Sequence, residues 1–273
     1  MENEKMMGAF FSLKNAVQQY KGQWWVTADG YTTHKDTLIE LYYAVKKNRA
    51  EWLIAITEKY FAELYEKKTI MPIYHSKKFQ ESALAHQLLD GLTGLEIGGA
   101  AHNAFGLDTM NVDRVHHTSL EFMPYALEQV RLCGEVMPVD IVAPGDKIPV
   151  KDQTFDFVIN SHVIEHFYDP ISAIKEWMRV SRKYFFMIVP QRDALESDRD
   201  KPLTPLSEHI ERYHEKLGGT SDDHHSRWTL DTFVDMCNWI FEQEWGKGWF
   251  VVAVENPDKK VGNGFTVVLK KND

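Results

Sequence analysis

The chain has 273 residues, of which 44% are hydrophobic and 26% are charged. This balance is typical of a soluble globular protein and excludes wholesale disorder. Lys and Arg total 31 against 40 Asp and Glu, which gives a formal net charge of −9. So acidic a chain is poorly suited to gripping a nucleic-acid backbone with its whole surface, and we expect no nucleic-acid partner. Only two cysteines occur, which excludes a disulfide framework and favours a cytoplasmic location.

The beginning of the chain favours neither secretion nor membrane insertion. Its first charged residues are acidic and its apolar run is short, so we predict no secretory signal. No stretch approaches the ~18 consecutive apolar residues that a transmembrane helix needs, so we expect no membrane span.

The first part of the chain is predicted to be helical. Residues 37–67 carry apolar side chains at three- and four-residue spacing and contain neither Pro nor Gly. We expect residues 1–75 to form an N-terminal helical cap, which either packs against the core, covers a ligand as a lid or forms a dimer interface. A homo-oligomer is therefore one expected assembly.

From residue 76 onward the pattern predicts alternating strands and helices. Such alternation is typical of a parallel sheet that is covered by helices on both faces, as in a doubly wound α/β fold. Pro138 favours an edge position for the third strand. The predicted strands are 94–98, 110–113, 136–142, 155–160 and 184–189, and the predicted helices are 119–133 and 170–180.

The last third of the chain is expected to complete this domain, which we place at residues 76–273. Residues 191–228 are polar and we expect them to form an irregular insertion, of the kind that is either functional or disordered. A helix is predicted over 229–243. Two final strands, 249–254 and 265–269, are predicted to form an antiparallel pair that finishes the sheet.

A pair of glycines follows the first predicted strand. Gly98 and Gly99 let the backbone pass close to a ligand, and a helix start beyond them would offer free N–H groups. The segment is not a phosphate-binding loop, and it lacks the later glycines of the full dinucleotide fingerprint.

Three acids accompany this turn. Asp113 ends the second predicted strand, where a carboxylate can accept both hydroxyls of a ribose. Asp140 lies at the end of the third, where it can accept from an adenine amino group. Glu96 precedes the glycines and can orient the loop or bind a cationic ligand end. In open α/β sheets ligands bind beyond the carboxyl ends of the strands, so the three acids indicate a nucleoside site.

The segments LEIGG, NVDR, VDIV and FDFVINSHVIEHFYDP, in this order and spacing over about residues 90–190, resemble the class I S-adenosylmethionine-dependent methyltransferases. The resemblance implies a seven-stranded, mostly parallel, Rossmann-like sheet and S-adenosylmethionine as cofactor. It also implies that Glu96, Gly98 and Gly99 contact the methionine end, Asp113 the ribose, Asp140 and Ile141 the adenine, and that Asn160 and Ser161 line the floor. The later stretch PQRDALESDRDKPLTPLSEHIERY resembles a subgroup associated with sugar and bacterial surface-polysaccharide modification.

A histidine-rich motif follows the fourth strand. If it forms the first turn of a helix, His162, Glu165 and His166 share one face and could hold a divalent metal. The same string fits the H-x-x-E-H motif of one class of zinc peptidases. That motif requires a continuous helix, whereas Asp169-Pro170 follows closely here. The match to the motif nevertheless keeps a metal-dependent hydrolase as an alternative to the methyltransferase.

The predicted reaction is O-methylation, with N-methylation as an alternative, and the predicted acceptor is a sugar, a glycan or a small phosphorylated metabolite. A hydroxyl acceptor must lose a proton, so a base with a pKa near neutral helps, and His162 and His166 are the catalytic candidates. The insertion offers further groups for the acceptor: Arg192, His209, His224 and His225. A second alternative is a non-catalytic protein that binds the cofactor and serves as an assembly partner.

Overall fold

The protein is described by a computed structural model over residues 79, 81–99, 105–117, 119, 122, 125, 137–216 and 218–272. The chain divides into two compact units, and the one described below comprises residues 80–99, 104–114 and 139–273. The cap predicted over residues 1–75 lies outside the described residues, as does most of the helix predicted over 119–133. None of the described helices is long and apolar enough to cross a membrane.

One seven-stranded sheet forms the centre of this unit. Its strand order is β3-β2-β1-β4-β5-β7-β6. Strands β1 to β5 run parallel, while β7 is antiparallel to both of its neighbours, so the prediction of a mostly parallel sheet with an antiparallel closing pair is confirmed. The strands are β1 Thr93–Ile97, β2 Asp108–Asp113, β3 Ile141–Val142, β4 Phe155–Ser161, β5 Ser181–Pro190, β6 Trp249–Glu255 and β7 Gly264–Lys271.

Four α-helices among the described residues cover the two faces: α1 Ala83–Leu89, α2 Pro170–Val180, α3 Leu206–Glu215 and α4 Leu230–Glu242. Helix α1 packs with the side chains of one sheet face, whereas α2 and α4 share the larger core on the other. Helix α2 has the predicted bounds. It begins there because the Asp169 carboxylate accepts the Ser172 N–H at 2.9 Å, which caps the first turn, and because Pro170 suits the first helical position.

The insertion is more regular than predicted. Within 191–228 the chain forms a 3₁₀ turn at Glu196–Asp198 and the ten-residue helix α3. Leu206, Ile210 and Tyr213 pack against the main core from α3. The prediction of an irregular segment was wrong here because interleaved charges masked this three- and four-residue apolar spacing.

The third strand is shorter than predicted. Only Ile141–Val142 pairs with β2, so Asp140 immediately precedes the strand and does not end it, contrary to the prediction. Two hydrogen bonds explain the boundary. The Asp140 N–H donates to the Asn111 carbonyl at 2.9 Å, and the Asp140 carboxylate accepts the Asn111 N–H at 2.7 Å. A side chain therefore takes over a bond that a strand would make with its backbone.

We expect Gly94→Ala to lower the free energy of unfolding by about 1–3 kcal/mol, the range for overpacking a core. A Cβ atom at Gly94 would lie 2.2 Å from the Phe157 ring in the middle of the sheet. Urea unfolding measures the effect, with Gly218→Ala as the control, since a Cβ there meets nothing closer than 3.4 Å. Phe157→Leu should restore part of the loss in the double variant. Equal stability of the two alanine variants would contradict the prediction.

Candidate active site

The carboxyl ends of the central strands meet at one edge of the sheet. In the strand register Ile97 of β1 lies opposite Val112 of β2 and Asn160 of β4. The chain leaves β1 toward β2 and β3 and returns to β4 on the other side of β1, so the strand order reverses here. Ligands of open α/β sheets bind at such a reversal. The register brings the predicted cofactor residues to this edge: Glu96, Gly98, Gly99, Asp113, Asp140, Ile141, Asn160 and Ser161.

The glycine turn is closely packed against its neighbours. Gly98 has a φ of +64°, in the left-handed region that glycine adopts without strain. Its N–H donates to the Val112 carbonyl at 2.9 Å, and an added Cβ would come within 3.0 Å of the Val163 side chain. The Gly99 N–H donates to the Asn111 side-chain oxygen at 3.3 Å. These contacts attach the turn to β2 and to the segment after β4.

The floor of this edge holds buried polar atoms that suit a polar ligand. Asn160 is 0% exposed and Ser161 is 6% exposed. Among the described residues, the two side-chain amide atoms of Asn160 have no hydrogen-bond partner, and the Ser161 hydroxyl has none either. Leaving such groups unpaired costs about 1–3 kcal/mol each, and a ligand at the strand ends would remove that cost. Asp113 is partly buried and Asp140 is exposed on the same edge.

Glu96 is buried beneath the turn, with an exposed fraction of 4%. Burial raises the pKa of its carboxyl to about 7, against the opposing effects of the Lys260 charge and a hydrogen bond from Thr109. Lys260 is itself buried, and its Nζ lies 4.3 Å from the centre of the Phe105 ring. Lys260 lies more than 160 residues from Glu96 along the chain, so no local pattern in the sequence pointed to it.

The loop between β6 and β7 reaches the same edge. The buried Asp258 carboxylate accepts backbone N–H groups from Lys260, Val261, Gly262 and Gly264 at 2.6–3.1 Å. This fold of the loop places Lys260 near Glu96 and also brings Asn263 to the side chain of His162. The sequence showed only a turn-rich link here. An acid followed by two glycines is the signal that could have indicated a structured loop.

The histidine motif forms a 3₁₀ turn at Ile164–His166 instead of the helical turn that we considered. The helix that the peptidase motif requires is therefore missing at these residues, and the next helix, α2, begins only at Pro170. His162 has a φ of +55° and donates its N–H to the Ile188 carbonyl at 2.9 Å. A non-glycine residue in the left-handed region is uncommon, and such conformations concentrate at functional sites.

Glu165 lies at the centre of a cluster of imidazoles. Its Oε1 is 3.9 Å from His162 Nδ1 and 3.8 Å from the Nε2 atoms of both His166 and His224. The side chain is 1% exposed, and neither carboxylate oxygen has a hydrogen-bond partner among the described residues. Burial raises the pKa of Glu165 to about 8. The cluster thus holds a carboxyl that does not ionise readily without a cation.

Burial also lowers the pKa values of the neighbouring histidines. The pKa of His162 falls to about 4, mainly by desolvation and against the opposing charge of Asp258. Desolvation lowers the pKa of His166 as well, and the nearby His224 adds to the effect. The two predicted catalytic histidines therefore lie beside Glu165 as neutral rings near pH 7.

The insertion delivers His224 to this cluster by pairing with the 3₁₀ turn. The His225 N–H donates to the Glu165 carbonyl at 2.8 Å, and the Ser221 N–H donates to the His166 carbonyl at 3.2 Å. His224 Nδ1 lies 2.5 Å from a carboxylate oxygen of Asp198. From the sequence, His224 was expected among the acceptor-binding groups, apart from Glu165. Asp198 was not expected here, because its charge is one of many in a mixed-charge segment.

The other predicted acceptor residues lie elsewhere. His209 is 1% exposed and stacks on Trp228 with ring centres 5.2 Å apart, so it packs inside the insertion. His225 Nε2 bonds to the Ser221 hydroxyl at 2.8 Å. Arg192 donates from its guanidinium to the Arg199 carbonyl at 3.2 Å. Of the four, only His224 places its side chain beside the Glu165 carboxylate within the described residues.

A family model described as a methyltransferase domain matches residues 95–187. The match begins in β1, includes the glycine turn, Asp113, Asp140 and the histidine motif, and ends in β5. The protein carries an S-adenosylmethionine-dependent methyltransferase domain. Its cofactor is S-adenosylmethionine, and the unpaired polar atoms at the strand ends fit such a polar ligand.

Several solved structures resemble this methyltransferase at low identity. One from Methanosarcina mazei, described as an S-adenosylmethionine-dependent methyltransferase, is 14% identical, with a match that covers 70% of this chain and 97% of the other at a TM-score of 0.43. One from Aquifex aeolicus is 21% identical, with coverage of 67% and 84% and a TM-score of 0.35. No curated protein matches the chain. The family match, and not these distant likenesses, supports the assignment.

We expect Glu96→Gln to stabilise the cofactor-free methyltransferase by about 2–3 kcal/mol at about pH 8. The folded protein keeps the Glu96 proton up to a pH of about 7, whereas the unfolded chain releases it near the ordinary value of 4.5. The folded state therefore binds more protons between these values, and the free energy of unfolding falls as pH rises through this window. Glutamine carries no such charge, so its advantage should disappear below about pH 4.5.

Denaturant unfolding across this pH range measures the difference, with Glu211→Gln on the exposed face of α3 as the control. An advantage for glutamine that stays constant with pH would mean that the pKa of Glu96 is the same in the folded and unfolded protein.

Proposed function

We propose that this methyltransferase transfers the methyl group of S-adenosylmethionine to a hydroxyl oxygen of a sugar, a glycan or a small phosphorylated metabolite. The single observation that carries the proposal is the position of the Glu165 cluster. It begins one residue after Ser161, at the end of β4 where the cofactor edge lies, so groups able to bind or deprotonate an acceptor adjoin the donor site.

The residues proposed to hold the cofactor divide by their chemistry. Asp113 offers carboxylate oxygens for the ribose hydroxyls, and Asp140 with Ile141 lies where the adenine would bind. Asp140 can use only one oxygen freely, because Oδ2 already accepts the Asn111 N–H. The closely packed Gly98 and the buried Glu96 carboxyl lie nearest to the methionine end.

S-adenosylmethionine, when bound, supplies an electrophilic methyl group on a sulfonium centre. The protein then needs to align the acceptor oxygen, exclude water and remove the hydroxyl proton. The buried positions of His162, His166 and Glu165 support the second and third tasks, because these side chains lie in a site with little access to solvent. Oxygen as the acceptor atom rests on the resemblance to the sugar-modifying subgroup, since a hydroxyl and an amine must both lose a proton.

The acceptor class is supported by the resemblance of residues 190–213 to a subgroup that modifies sugars and surface polysaccharides. Arg192 and Arg199 lie in this stretch and could bind phosphate or carboxylate groups of such an acceptor. His209 is not part of the proposed site, since it is buried against Trp228. A cytoplasmic location and a homo-oligomeric assembly remain predictions from the sequence.

We expect Asp113→Ala to weaken S-adenosylmethionine binding by about 1–3 kcal/mol, the cost of leaving buried hydrogen-bonding groups unpaired. Isothermal titration calorimetry measures this directly. Asp108→Ala is the matched control, because Asp108 begins the same strand, β2, and is exposed at its opposite end. The same affinity in both variants would remove Asp113 from the ribose site.

We expect His166→Ala to lower kcat about 100-fold or more while cofactor affinity changes little, since general acid–base groups contribute about 10²–10⁴-fold to rate. The measurement is release of S-adenosylhomocysteine with a panel of nucleotide sugars, sugar phosphates and oligosaccharides. His214→Ala, on the exposed end of α3, is the control.

Three results would contradict the proposal. Methyl transfer to amines alone would show that the acceptor atom is not oxygen. Cofactor binding without turnover on any acceptor would favour the non-catalytic alternative. Unchanged turnover in His166→Ala would place the proton acceptor elsewhere in the site.

A further inference from the structure

We propose that Glu165, His166 and His224 bind a divalent transition-metal ion. Each of these residues offers one possible ligand atom, and within the described part of the chain the three atoms lie within 4.8 Å of one another. His224 comes from the insertion, so the set differs from the one that the motif alone suggested. The binding of the ion stands on geometry, whereas its role toward the acceptor rests on the proposed function.

Within the described residues, the Glu165 carboxylate has no close polar partner in this cluster. It is fully buried, and the three imidazole nitrogens around it lie at 3.8–3.9 Å, which is too far for hydrogen bonds. Burying a carboxylate without a hydrogen-bonded or ionic partner is costly, and buried charges are normally paired or bound to metals. A cation at the centre of the cluster would supply the missing partner.

The distances from Glu165 to the two imidazoles suit one shared ion. Zinc–nitrogen and zinc–oxygen bonds are about 2.0–2.2 Å long. Two ligands at about 2.1 Å are about 3.4 Å apart at the tetrahedral angle and about 4.2 Å apart when they face each other. The observed 3.8 Å from Glu165 Oε1 to His166 Nε2 and to His224 Nε2 lies between these limits. Both separations are therefore compatible with one shared ion.

Hydrogen bonds orient the two imidazole rings so that their Nε2 atoms face Glu165. His224 Nδ1 lies 2.5 Å from the Asp198 carboxylate, and His166 Nδ1 lies 3.3 Å from the Asp223 carbonyl. Because both partners only accept hydrogen bonds, each Nδ1 carries the proton and each Nε2 directs its lone pair toward Glu165. Histidine ligands of metals typically have such a hydrogen-bond acceptor behind them.

Asp198 is in turn fixed by positive charges. Lys201 Nζ lies 3.0 Å from its Oδ1, and the Arg227 guanidinium lies 3.6 Å from the same oxygen. Arg227 also donates to the His224 carbonyl at 2.9 Å. Hydrogen bonds therefore fix both the ring and the backbone carbonyl of His224. Such restraint keeps the orientation of a metal ligand constant.

The donor set indicates the chemical class of the ion. Two imidazoles and one carboxylate suit Zn²⁺, Mn²⁺, Fe²⁺ or Co²⁺ better than Ca²⁺ or Mg²⁺, which prefer oxygen ligands. Three protein ligands leave at least one position open for a water molecule or a substrate. An acceptor hydroxyl could take that position beside the cofactor edge, where the ion would lower the pKa of the hydroxyl. His166 Nε2 is then a ligand and not the proton acceptor, so the lower kcat expected of His166→Ala would follow from loss of the ion.

The experiment uses the full chain, freed of metal with a chelator and then titrated with Zn²⁺ and, separately, Co²⁺. Calorimetry and elemental analysis give affinity and stoichiometry, and the visible spectrum of bound Co²⁺ reports the ligand set independently of turnover. We expect one ion per chain in the wild type and in His214→Ala. Glu165→Gln and His224→Ala should each weaken ion binding at least 100-fold, and Asp198→Asn about 10–100-fold.

Retention of S-adenosylmethionine binding and of the circular dichroism spectrum shows that each variant is folded. Glu165→Gln gives a second readout, since it removes the carboxylate ligand: the melting temperature of the variant should not respond to Zn²⁺, whereas that of the wild type should rise. The site is overturned if folded wild-type protein binds no ion at about 100 μM free Zn²⁺, a concentration at which even a weak specific site would be occupied. It is equally overturned if Glu165→Gln binds as well as the wild type.

Failure of the proposed function is distinguishable from failure of the site. Ion binding without transfer to any acceptor would overturn the acceptor proposal and leave the metal site standing. Transfer at full rate by metal-free protein would overturn the role of the ion toward the acceptor and leave the acceptor proposal standing.

Discussion

The parallel pairing of β1 with β2 on one side and β4 on the other is the constraint on which the site depends. Because parallel strands end at a common edge, this pairing brings a glycine turn, an acid and a buried amide together although they are widely separated along the chain. The strand order reverses at β1, and ligands of open α/β sheets bind beyond the carboxyl ends of the strands at such a reversal. Gly98, Asp113 and Asn160 owe their proximity to this topology.

A second constraint comes from the insertion, residues 191–228, which the sheet itself does not require. It completes a cluster that the strand ends alone leave unfinished. The 3₁₀ turn after β4 presents Glu165, yet the turn is too short to surround a carboxylate with ligands. Backbone hydrogen bonds from Ser221 and His225 attach the insertion to this turn, and His224, between them, is thereby directed inward. The left-handed backbone of His162 belongs to the same arrangement, since the chain must turn sharply between the end of β4 and Glu165.

The sheet and the first-strand turn could be predicted from the sequence because their signals are local. A buried strand reads as an apolar run, and the bounds of α2 followed from Asp169 and Pro170. The composition of the histidine cluster could not be predicted, because His224 is 59 residues from Glu165 along the chain and reaches it only through backbone pairing. Asp140 shows the same limit on a smaller scale. Its side chain replaces a backbone bond to β2, and no periodicity distinguishes a residue that ends a strand from one that precedes it.

The antiparallel strand β7 explains how the two halves of the site are connected. Because β7 runs opposite to β5, its first residue lies beside the carboxyl end of β5, and the loop that precedes it reaches the same edge as the glycine turn. A parallel β7 would begin at the far edge and would leave that loop there. In this loop Asp258 binds four backbone N–H groups, which directs Lys260 toward Glu96 and Asn263 toward His162. One buried carboxylate thus holds in place the neighbours of the proposed donor site and of the histidine cluster, so a change at Asp258 should disturb both together.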